Sequence, residues 1–90
     1  MTLGEYIRDM RATMQLSQPQ LAEQIGIEQS YLSKLENDKS LPSNEVFRRL
    51  LSALNVSLAA FVAVFSAQEQ QQLTAIPDVE LYLKQQRNKQ

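Results

Sequence analysis

Apolar side chains recur at helical spacing along most of the chain, and no β-rich alternation appears. Tyr6, Ile7, Met10 and Met14 share one face of a first predicted helix, opened by a capping box between Thr2 and Glu5. Leu21, Ala22, Ile25, Ile27, Leu32 and Leu35 then form the inner face of two short helices, Gln18 to Ile25 and Glu28 to Glu36. Val46, Phe47, Leu50, Leu51 and Leu54 supply the buried side of a helix from Asn44 to Leu54, capped by Ser43 and ended by a left-handed Asn55. Leu58, Phe61, Val62 and Phe65 repeat at i, i+3, i+4, i+7 in a helix that Ser57 begins; Val64 lies off the stripe and widens the apolar surface. The class that follows is all-α.

The stretch from Leu16 to Ser43, LSQPQLAEQIGIEQSYLSKLENDKSLPS, carries the most specific pattern. Ser17 stands where an N-cap belongs, with Gln20 three residues on, and Pro19 occupies the first turn, where its missing N–H is not needed. Gly26 supplies the positive φ of a tight turn; the two glycines of the chain are both accounted for by helix starts or ends. With the apolar residues turned inward, Gln29, Ser30, Ser33 and Lys34 fall on the opposite side of the second helix. Two short helices, a tight turn and an outward row of hydrogen-bonding side chains make a helix-turn-helix.

Ser17-Gln18, Leu21-Ala22, Gly26, Leu32, Leu35-Glu36-Asn37, Lys39 and Pro42-Ser43, in their joint spacing, resemble the lambda-repressor and Cro type of helix-turn-helix domain, the XRE family. The resemblance covers roughly Leu3 to Phe65. It implies a compact five-helix bundle over residues 1–65; residues 66–90 depart from that minimal domain and form a C-terminal helical extension or arm. It also implies that helix 28–36 enters the major groove of double-stranded DNA, in a homodimeric repressor reading an inverted repeat. Gln18 resembles the family's phosphate-clamping glutamine, and Asn37 and Lys39 its backbone-contacting loop, although Asn37 could equally bond within its own turn. Arg11 is expected to pair with Glu36, and Arg8 to be solvated.

At the expected DNA face, a glutamine amide such as that of Gln29 can pair with N6 and N7 of adenine. Ser30 and Ser33 offer short, less selective hydroxyls, and Lys34 can reach guanine or a phosphate. Tyr31 can place its hydroxyl on a phosphate or serve as a structural aromatic.

Composition removes competing chemistry. The chain of 90 residues has no cysteine and no histidine, and shows neither a nucleophile elbow nor a glycine-rich phosphate loop. No enzyme, metal site or cofactor is expected. A net charge of −1 is low for a DNA binder. The cations near the motif are Lys34 and Lys39, with Arg48 and Arg49 able to add to the rim, while Glu28 and Asp38 oppose them. A modest salt dependence follows. The first residues lack a signal-peptide pattern, and the apolar run Leu58 to Phe65 is too short to span a bilayer, so a cytoplasmic protein without a membrane segment is expected.

In the arm, Ser66 and Glu69 give a further capping box ahead of Gln70, Gln71 and Gln72. Leu73 and Ile76 are its apolar anchors; Pro77 opens a second helix with Val79, Leu81, Tyr82 and Leu83 available for packing and a basic end of Lys84, Arg87 and Lys89. This segment can be a solvated tail, a dimer-stabilising or regulatory arm, or the lead into a further region. Two other functions stay open: an antitoxin that represses its own operon and holds a toxin through the arm, and a protein-interaction adaptor that has lost DNA affinity.

Overall fold

A computed structural model describes residues 1–87; the expectation for Lys89 lies outside them. All the regular elements in that range are helices: α1 Leu3–Thr13, α2 Gln18–Ile25, α3 Gln29–Glu36, α4 Asn44–Ala53, α5 Leu58–Ala63, α6 Ala67–Gln72 and α7 Pro77–Arg87. The starts follow local chemistry. Thr2, Ser17, Ser43, Ser57 and Ser66 each accept a hydrogen bond from the backbone N–H three residues on, and the three expected capping boxes all close. Helix α3 differs by one residue: Glu28 is its N-cap, in extended conformation and without a side-chain bond to the helix.

Four consecutive helices stop in the same way. The chain turns left-handed at Gln15 (φ 58°), Gly26 (81°), Asp38 (59°) and Asn55 (57°). In each case the next residue's N–H closes back five residues: Leu16 to Arg11, Ile27 to Ala22, Lys39 to Lys34 and Val56 to Leu51, all at 2.9–3.0 Å. These are Schellman stops, which satisfy carbonyls the helix leaves open. Helix α5 ends differently: Gln70 donates from Nε2 to the carbonyls of Val62 and Phe65, both at 3.1 Å.

Helix α1 packs on α3, and α2 on both α3 and α4. Ile7, Leu21, Leu32, Phe47, Leu50 and Phe61 are fully enclosed at the centre. Phe61 meets Tyr6 and Phe47 edge-on, with ring centroids 5.0 and 5.1 Å apart, a favoured aromatic geometry. Burial also raises the pKa of the Tyr6 hydroxyl. Phe61, Val62 and Phe65 therefore close the core, and Val64 (50% exposed) is the large apolar side chain of that stretch left on the surface. Met14, expected on the buried face of α1, lies past its end and is exposed, while Val46 is half-buried.

Residues 66–82 are not a solvated tail. Leu73, Ile76 and Val79 are buried in the same hydrophobic cluster as the first five helices, and Tyr82 and Leu83 pack against it. Leu81, expected to pack, points outward and is 55% exposed. The start of α7 is pinned to α4. Arg48 grips Asp78 with Nε and Nη2 at 2.6 and 3.1 Å, and the Asp78 backbone N–H donates to Oδ1 of Asn44 at 2.9 Å. Arg48 and Asn44 together hold the Asp78 carboxyl below the usual range. None of the described helices is long and apolar enough to cross a membrane.

Candidate nucleic-acid interface

The site is built on α3, whose sequence QSYLSKLE divides cleanly by face. Leu32 and Leu35 are buried, and Tyr31 is half-buried against the core. Gln29, Ser30 and Lys34 are exposed on the other side, with Ser33 half-buried between them. At 3.6 residues per turn these four positions span an arc of about 140°, a continuous polar strip. The Schellman stop after Glu36 then turns the chain so that Lys39 is exposed just beyond the helix end.

The end of α3 is welded to α1 and α2 through one buried acid. The Glu36 side chain has no exposed surface. Arg11 donates from Nε to Oε2 of Glu36 at 2.8 Å and from Nη2 to Oε1 at 3.0 Å, and its Nη1 donates to the Leu16 carbonyl at 2.9 Å. Gln18, at the first position of α2, donates from Nε2 to Oε1 of the same carboxylate at 3.0 Å. The expected Arg11–Glu36 pair is thus present, with Gln18 as a further donor. An unpaired buried charge would be costly, and here both oxygens of the carboxylate are met, Oε1 twice and Oε2 once. Among the described residues no buried side-chain polar atom lacks a hydrogen bond.

Two contacts of this weld had no signal in the sequence. Arg8 is exposed, as expected, but it also donates from Nη2 to the Glu36 carbonyl at 3.3 Å and to Oδ1 of Asn37 at 2.9 Å. Asn37 in turn donates from Nδ2 to the Ser33 carbonyl at 2.9 Å, so its amide is held on one side by α1 and on the other within its own turn. Asp38 accepts from the Thr2 hydroxyl at 2.6 Å and from the Gly4 N–H at 2.9 Å. Gly4 is a close-approach glycine: a Cβ there would stand 2.4 Å from the Glu36 carbonyl oxygen. Its place near the start of a helix does not by itself reveal this approach.

The cations sort into two groups. Arg48 and Arg49 do not extend the rim with free charge; Arg48 is held by Asp78 and Arg49 by Glu45 at 3.1 Å. Arg8 and Arg11 are tied to Glu36, and Lys84 to Glu80. Lys34 and Lys39 have no ion-pair partner among the described residues. Among those residues no group of three or more acidic side chains is placed to hold a metal ion. What the surface offers is amide, hydroxyl and ammonium donors along one short helix, a chemistry suited to base edges and phosphates.

Comparison with known proteins points the same way. A protein-family model described as helix-turn-helix matches residues 7–61. The chain is 36% identical over 62 residues to the immunity repressor protein of Bacillus phage phi105, a match spanning 69% of this chain and 43% of that protein. It is also 36% identical to the ImmF control region 10 kDa protein of the same phage, over 62% of each. An uncharacterized HTH-type transcriptional regulator of Mycobacterium tuberculosis is 41% identical over 60% of this chain and 39% of its own length. The chain thus spans between about two fifths and three fifths of the curated relatives it matches. Among solved structures, a chain of the SinR protein–SinI protein complex shares the fold, with TM-score 0.60 and 22% identity over 99% of this chain and 100% of that one.

Proposed function

Because this chain belongs to the XRE-type helix-turn-helix family of transcriptional regulators, we propose that it binds double-stranded DNA sequence-specifically as a homodimeric repressor. The observation that carries this is the polar strip of α3. Gln29, Ser30, Ser33 and Lys34 stand over buried Leu32 and Leu35, on a helix anchored at its far end by Glu36. Gln29 reads a base, with adenine the fitting partner, and Ser30 and Ser33 add hydroxyl contacts. Lys34 and Lys39 take phosphates or guanine, Gln18 clamps a phosphate at the start of α2, and the half-buried Tyr31 sets its hydroxyl on the backbone. Asn37 acts through its turn, holding the α3 end in place.

Two such helices about a two-fold axis would read half-sites about 34–36 Å apart. Occupying a promoter is then enough to repress it. Selection of bound duplexes from a random library at near-physiological salt tests this directly. An enriched inverted repeat is expected, and Gln29→Ala should relax one position of it by roughly 1–3 kcal/mol. A folded protein that enriches nothing would remove the DNA reading and favour the adaptor. A second role, holding a partner protein such as a toxin through the arm, draws on Leu81, a large apolar side chain turned outward on a helix whose base is pinned. Its test is whether Leu81→Glu abolishes a stable complex with the co-encoded partner while DNA selection is unchanged.

A further inference from the structure

The DNA reading asks Gln18 to present its amide to a phosphate, yet a free glutamine amide rotates and can offer either its carbonyl or its NH2. In this fold that choice is removed. The group facing the Gln18 amide is the Glu36 carboxylate, fully enclosed and held ionically by Arg11 through both oxygens. An ionised carboxylate only accepts hydrogen bonds, so it takes Nε2 at 3.0 Å and rejects Oε1. We propose that Glu36 is a positioning residue for DNA binding, orienting the Gln18 amide before the phosphate arrives. One Nε2 proton is bound to the acid; the other, turned away from it, is left to donate to a phosphate oxygen. Gln18 is only half-buried, which leaves that side of the amide within reach of a ligand.

The same carboxylate ends α3, while Gln18 begins α2. The phosphate donor on one helix is therefore set by the helix that carries Gln29. Positioning of the backbone contact and of the base contact become one geometric fact, in the sense that a preorganised ligand group avoids the ordering cost on binding. This inference rests on the DNA reading above, and goes beyond it by assigning a role to a residue that touches no DNA.

Two measurements test it on the whole chain. In the free protein, the Gln18 side-chain NH2 pair should show one proton shifted downfield and slowed in exchange relative to the exposed glutamines. Averaged, fast-exchanging Gln18 protons would refute the locked amide whatever happens with DNA. The second is a double-mutant cycle on the selected duplex using Gln18→Ala and Glu36→Asp; the aspartate keeps the charge for Arg11 but withdraws it from Gln18. Each single change should weaken binding by roughly three- to tenfold, the worth of one hydrogen bond. The double variant should lose no more than the worse single, with base preference at the Gln29 position intact. Additive losses would overturn the proposal and leave the DNA reading standing. Wild-type protein that binds no duplex would instead remove the reading on which the proposal rests.

Discussion

On the proposed function, raising salt should weaken DNA binding by an amount the ion pairs already set. Of the cations around α3, Arg8 and Arg11 are bound to Glu36, Arg48 to Asp78 and Arg49 to Glu45, which leaves Lys34 and Lys39 free to neutralise phosphate. With about 0.9 counterions released per neutralised phosphate, two lysines give a slope of log K against log salt of about −1.8 per protomer, or about −3.6 for a two-fold site. Between about 50 and 200 mM salt the affinity for one half-site should drop about twelvefold, and for a paired site about 150-fold. Fluorescence anisotropy on a labelled duplex across that range measures the slope. Lys39→Ala should flatten it by about 0.9 per protomer while weakening all sequences alike. A slope of about −6 or steeper, or one indifferent to both lysines, would show that the paired arginines turn to the DNA and that the count is mistaken.

Three further outcomes are expected. Gly4→Ala drives a methyl group onto the Glu36 carbonyl, 2.4 Å away, and should cost about 1–3 kcal/mol by urea unfolding; a wild-type midpoint would contradict the close approach. Gln15→Gly relieves a left-handed residue with a side chain (φ 58°) and should gain up to about 1 kcal/mol, the strain removed exceeding the added chain entropy; a lower midpoint would count against a strained stop. The Asp78 carboxyl is held below its ordinary value, chiefly by Arg48, so its stabilisation is complete above about pH 4, the unfolded value, and is lost as pH falls through the folded one. The melting-temperature gap between wild type and Asp78→Asn should be constant above about pH 5 and narrow toward about pH 3; a gap that widens in acid would reverse the assignment.

What the sequence made legible is what the chain encodes within a few residues. N-caps at Thr2, Ser17, Ser43, Ser57 and Ser66, and the stops at Gly26 and Asn55, use residue types that act on their own neighbourhood, and the structure has them all. The polar strip of α3 follows from periodicity in the same way. The stops at Gln15 and Asp38 carry no such sign, because neither residue type prefers the left-handed region as glycine does. The contacts of Arg8, Arg48 and Gly4 escape the sequence for a related reason. Their partners Asn37, Asp78 and Glu36 lie about thirty residues away, and a charge or a glycine by itself does not say whom it faces. Leu81 is the mirror case: an apolar residue at a plausible position on α7 that the packing of Val79 and Tyr82 turns outward.

The weld around Glu36 has a genetic consequence. On the proposed function, a screen for loss of repression would collect mutations at Gly4, Arg11 and Glu36 beside those at Gln29 and Lys34, although the first group lines the inside of the molecule. The two groups would behave differently as alleles. Changes on the strip should be rescued by altering the operator, since the protein around them is whole. Changes in the weld should be rescued only by second mutations inside the protein or by lower growth temperature, because what they damage is the placement of the helix and not what it recognises.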